Sequence, residues 1–292
     1  MSSAVLPEAV WTARRDRHLE VVADLVGPHL RRRAEGVTHP VHDFLFTYYS
    51  VRPNQLRRWH PGFGTVLGGA ESAIYLEYAG YAATDVGVTV SPALLEHRRP
   101  AVEFVTALLS ATESRRPQLS CFGLHEWAMV YRGGEDAVRH SSVPLRLGHA
   151  GTDEVVESMN LRCTHFDAFR FFTRDAAPRN EVPLSRDDQI AREQPGCLHA
   201  GMDLYKWATK LGPLVESELV IDCFRLATDA RELDMKASPY DLTSYGYDAV
   251  PIETPQGRAE YVREQVALSE RAATLRSELL ARCRGLSAAL TK

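Results

Sequence analysis

The chain has 292 residues, 45% of them hydrophobic and 25% charged, the ordinary balance of a globular protein with a sizeable core. No run of about 18 apolar residues appears, so no membrane-spanning helix and no membrane partner are expected. The net charge of −4 argues against binding of nucleic acid by the molecule's charge as a whole.

Residues 8–34 form a polar amphipathic pattern at helical spacing, which Gly27-Pro28 is expected to kink or divide. Thr38-His39-Pro40 reads as a helix start, and HPVHDFLFTYYS follows with His42, Phe46 and Tyr49 on one helical face. Arg52-Pro53 ends that element, and NQLRRWHPGFG gives a short helix and a loop. Residues 62–90 are the least regular part. Residues 92–114 predict one amphipathic helix behind Ser91-Pro92. Residues 133–160 read as loop with a short strand pair. SRDDQIAREQ is a capped acidic turn stopped by Pro195-Gly196, and residues 201–211, 215–236 and 257–286 predict helices. The expected fold is mainly α: a single compact helical domain over residues 1–292, with a few short strands or irregular loops. MSSAVLPEAVWTARRDRHLE lacks the apolar stretch of a signal peptide, and the five cysteines have no framework spacing. A cytoplasmic location with reduced thiols is therefore expected.

Three segments repeat one set of residue types. SCFGLHEWAMVYR holds Cys121, His125 and Glu126; RCTHFDAFRFF holds Cys163, His165 and Asp167; CLHAGMDLYKW holds Cys197, His199, Asp203 and Lys206. HPVHDF adds His39, His42 and Asp43. Histidine, cysteine and carboxylate are metal ligands and also the acid–base groups that work near neutral pH. Any one of these histidines is more simply a hydrogen-bonded core or surface residue; four segments with the same composition shift the balance toward a shared site. The cysteines argue less, because C-x-H and C-x3-H are not the paired C-x2-C spacing of a structural zinc site, and Met129 breaks an H-E-x-x-H motif at His125.

Aromatic residues crowd the same segments. Tyr48, Tyr49, Trp59, Trp127 and Tyr205 are candidates for the walls of a pocket for a flat ligand, with ordinary core packing as the alternative. Lys206 is either half of a charge pair with Asp203 or a nucleophile or anion-binding group. Asp234, in RELDMKASPYDL, becomes a further ligand candidate if its helix packs inward. Thirty of the 34 basic residues are arginine. Coding bias explains this most simply, while Arg57-Arg58 beside Trp59 could meet a phosphate backbone.

The blocks HPVHDFLFTYYSVRPNQLRRWHPGFG, CFGLHEWAMVYR, LRCTHFDAFRFFT, CLHAGMDLYKWATKLGP and RELDMKASPYDL together resemble an actinobacterial family commonly labelled 3-methyladenine DNA glycosylase, over roughly residues 8–280. The resemblance implies excision of alkylated purines such as 3-methyladenine from damaged DNA. No helix–hairpin–helix motif with its downstream aspartate is present, so residue chemistry alone selects Glu126, Asp167, Asp203 and Lys206 as the catalytic candidates. A second reading is a metal-dependent oxygenase or hydrolase acting on a small aromatic substrate. Iron or zinc would then be held by His42, His125, His165 and His199, with Glu126 or Asp203 completing the site. A third is a non-catalytic helical protein that binds an aromatic ligand or a peptide.

Overall fold

A computed structural model describes residues 4–49, 51–133 and 143–291, and its fold is mainly α. Among the described residues six helices have ten residues or more: α1 (Glu8–Ala34), α2 (Arg99–Glu113), α3 (Gly148–Ser158), α4 (Leu198–Leu211), α5 (Ser217–Lys236) and α6 (Pro255–Leu290). Four of them, α1 and α4–α6, fall within a few residues of the helices that periodicity predicts. Helix α6 starts at a Thr254 side chain that accepts the Gly257 N–H, with Pro255 in the first turn. Helices α4 and α5 pack closely, and α6 and α2 complete the main core around Trp127, Tyr205, Leu211 and Tyr261. None of the described helices is long and apolar enough to cross a membrane.

Several segments depart from expectation, each for a local reason. Pro28 sits inside an uninterrupted α1. The single helix expected over 92–114 is two, Pro92–His97 and Arg99–Glu113, because Pro100 has no N–H and its ring clashes with the carbonyl four residues earlier. The helix expected from Pro40 shrinks to Phe44–Tyr48, preceded by a turn in which the His39 Nδ1 accepts the N–H groups of Val41 and His42. Part of the expected loop is helix α3; residues 134–142 of that loop lie outside the described residues.

The irregular region 62–90 supplies three strands. Strands β1 (Ala4–Leu6), β2 (Thr65–Leu67), β3 (Tyr81–Thr84) and β4 (Gly87–Val90) form a sheet of order β1-β2-β4-β3, parallel only between β1 and β2. Strands of three or four residues are too short to show a two-residue alternation, so they are hard to read from sequence. Gly87 is required where β4 crosses β2: it has φ 149°, and a Cβ there would lie 2.0 Å from the Leu67 carbonyl oxygen. The sheet covers Trp11, Trp59 and Tyr75, which form a core of their own at the side of the helices.

Candidate functional site

Helix α4 carries His199, Asp203 and Lys206 on successive turns, so all three project along one side. Against them lies the segment that leads into the short helix Phe166–Phe169, which brings His165 and Asp167. The Lys206 ammonium donates to Asp167 Oδ2 at 2.7 Å and to Asp203 Oδ2 at 2.8 Å. His165 Nε2 is 3.3 Å from Asp203 Oδ2 and 3.7 Å from Glu193 Oε2. The Tyr49 hydroxyl donates to Asp203 Oδ1 at 3.1 Å.

The charge states follow from these contacts. Burial opposes ionisation of Asp203, but the Lys206 charge and the His165 ring hold its carboxyl below the usual range. Burial likewise opposes ionisation of Asp167, and a hydrogen bond from Lys206 prevails, so its pKa is also lowered. For Lys206 burial works against the charge, while Asp203 and Asp167 raise its pKa; it is an ammonium and not a free amine nucleophile. Glu193 is pushed up by burial. Tyr48 is pushed up to about 12 by burial and then by the charge of Asp203.

Asp167 and Lys206 stand in the wall of an open cavity of about 620 Å³. Tyr48 and Tyr49 supply its aromatic side, and Arg58, Arg98 and Arg170 bring positive charge. Arg170 Nε also approaches Asp167 Oδ1 at 3.2 Å. The cavity thus combines one fixed carboxylate, tyrosine rings and several cations.

A second cluster is buried next to the first. Phe122 and Gly123 both have positive φ, 48° and 71°, and turn the chain sharply into the short helix Leu124–Ala128. That turn aims His125 inward, where its Nε2 lies 2.6 Å from Asp234 Oδ1 on α5 and its Nδ1 lies 3.7 Å from Cys121 Sγ. Arg231 Nη1 donates to Asp234 Oδ2 at 2.9 Å and to Glu126 Oε1 at 2.6 Å. The rings of His125 and His199 meet edge to face at 4.4 Å, and those of His199 and His165 stack at 5.3 Å. Ligand atoms of His125, His199 and Asp234 lie within 4.8 Å of one another, close enough for a metal ion. Burial disfavours a charged His125, yet Asp234 raises its pKa well above the ordinary value; burial and the neighbouring His125 push His199 far down.

Of the four histidines expected to share a metal, His125, His165 and His199 are thus neighbours. His42 takes other partners, the Tyr247 hydroxyl at 2.8 Å and the ring of His39. Glu126 is spent on the buried ion pair with Arg231 and does not line the large cavity. Trp127 donates to the Ala237 carbonyl in the main core, and Trp59 donates to Glu218 beneath the sheet; neither lines that cavity. Tyr205 is fully buried behind Tyr49, edge to face at 5.5 Å. Sequence reasoning misses Glu193, which lies in an acidic stretch that reads as exposed, and the cavity residues Arg98 and Arg170, hidden among thirty arginines. Asp234 joins the site because α5 packs inward.

No family model, no curated protein and no solved structure matches this chain.

Proposed function

We propose that the protein is an N-glycosylase that removes an alkylated purine from DNA, with Asp167 as the reacting carboxylate. The observation that carries this reading is the placement of an ionised Asp167, fixed by Lys206, in a cavity with tyrosine on one side and arginines around it. A nucleotide turned out of the helix stacks on Tyr48 or Tyr49, and the arginines hold the flanking phosphates. The bond between C1′ and the purine nitrogen breaks, and the electron pair leaves with the alkylated base, which is already positively charged and departs readily. The Asp167 carboxylate stabilises the positive charge that develops on the sugar. A water molecule then adds to C1′ and gives its proton to Asp167, so that the products are free base and an abasic site. Lys206 holds the carboxylate in position and ionised.

The test is release of free 3-methyladenine from methylated duplex DNA. Wild-type protein releases the base, and Asp167→Asn retains DNA while losing release by a factor of about 100 or more. Failure of the wild type both to release base and to retain DNA in a salt-sensitive manner sinks the reading.

A metal-dependent hydrolase or oxygenase is the second reading, favoured by the clustering of His125, His199 and Asp234. It is tested by turnover of small aromatic substrates that a chelator abolishes and iron or zinc restores.

A further inference from the structure

The three segments that share a Cys/His pattern each bring a cysteine to the wall of one small cavity. Cys121, Cys163 and Cys197 line a single small cavity together with His125 and His199. The cavity has a volume of about 10 Å³. That is room for about one atom, too little for an organic ligand or an iron–sulfur cluster.

We propose that Cys121, Cys163, Cys197 and His125 Nδ1 bind one zinc ion that fastens the three segments together. The Cys121 Sγ to His125 Nδ1 distance of 3.7 Å is what two ligands of one ion require. With bonds of about 2.3 Å to sulfur and about 2.0 Å to nitrogen, tetrahedral zinc separates such a pair by about 3.5 Å. Cys163 Sγ leans on the His165 carbonyl at 3.5 Å, and no three of Cys121, Cys163, Cys197 and His125 place their ligand atoms within 4.8 Å of one another, so closing the site takes side-chain rotation by cysteines that already line the cavity.

The contact between His125 and Asp234 decides which side of the imidazole takes the ion. Nε2 and Oδ1 are 2.6 Å apart, a direct hydrogen bond that occupies Nε2 while the pair is intact. Asp234 therefore orients the ring and leaves Nδ1 for the metal, the usual relation of a carboxylate to a zinc-binding histidine. Three thiolates and one neutral imidazole on zinc carry a net charge of −1. Arg276, buried at 1% exposure with no hydrogen-bond partner on Nε and Nη2, is within electrostatic reach first of Glu193 and Glu113 and then of Cys197, and adds positive charge on that side.

The zinc goes beyond both functional readings, because it fixes structure and performs no reaction. Cys163 is four residues from Asp167, and Cys197 precedes Asp203 and Lys206 on the turn into α4. A zinc across these segments sets the register of Asp167 and Lys206 in the wall of the large cavity.

The experiment is metal analysis of the full chain expressed with added zinc, followed by replacement with cobalt. The expected result is about one zinc per chain and, with cobalt, the sulfur-to-metal charge-transfer absorption of a tetrahedral thiolate site. Asp234→Asn lowers zinc affinity about 10- to 100-fold, and Cys163→Ser and Cys197→Ser lower it at least as far. Where a variant fails to fold, stoichiometry and the cobalt spectrum of the wild type decide alone. Substoichiometric zinc with no uptake by the reduced protein overturns the proposal. So does a cobalt spectrum without sulfur charge transfer, which gives the ion to His125, His199 and Asp234, or a disulfide among the three cysteines in metal-free protein. Base release is a separate measurement, so loss of one proposal leaves the other standing.

Discussion

The Lys206 ammonium lies 2.7 Å from Asp167 and 2.8 Å from Asp203, so one cation holds together two carboxylates from different segments. Asp203 is buried, and the ammonium keeps like charges from meeting. Lys206→Met leaves Asp203 and Asp167 facing each other without their shared cation, with Arg170 and Arg186 left on Asp167 and His165 on Asp203. The loss of stability is expected to be about 3–5 kcal/mol in urea denaturation, and Lys206→Met with Asp203→Asn is expected to recover part of it. Equal stability of the single variant and wild type would show that water already screens the pair.

Acid should unfold the protein through the same groups. Asp203 and Asp167 have folded-state pKa values below their unfolded values, so their stabilisation is complete above about pH 4 and fades as pH falls toward the folded pKa. For the buried Asp203 the expected loss is on the order of 2 kcal/mol. Asp203→Asn should flatten the acid limb of stability against pH; an unchanged limb assigns acid sensitivity to other carboxylates.

Buried Arg231 balances Glu126 and Asp234 across two elements. Arg231→Met leaves Glu126 buried without its cation and Asp234 with His125 alone, and is expected to destabilise by roughly 3–5 kcal/mol. Glu126→Gln alone leaves Arg231 with Asp234 and should cost less. The order of the two, read by thermal denaturation, is the check; the reverse order contradicts the shared-cation arrangement.

Gly87→Ala tests the sheet. The new methyl group meets the Leu67 carbonyl at 2.0 Å at a backbone angle that side chains avoid. Strand β4 must move off β2, with an expected cost of about 2–4 kcal/mol and faster amide exchange at Val66 and Val88.

Arg58 reaches the large cavity from the segment before strand β2. If it meets phosphate, Arg58→Ala weakens retention of DNA of any sequence and reduces the salt dependence of binding by about one ion. An unchanged slope removes Arg58 from the DNA path.

What could be read in the chain was local. The helices α1 and α4–α6 follow from apolar residues recurring every three or four positions, with Pro255 at a helix start, and each signal fits within a few turns of chain. The gathering of Cys/His segments was legible only as a repeated composition. Tertiary packing decided the rest. Tyr49 meets Asp203 across 154 residues and His125 meets Asp234 across 109, and no short window of sequence records such a pairing. Packing also separated alike residues: it buried Trp59 and Trp127, sent His42 to Tyr247, and left Tyr48 and Tyr49 at the cavity. The physical reason is that helix and turn propensities act between neighbours, whereas ionisation and ligand geometry depend on which distant groups are desolvated together.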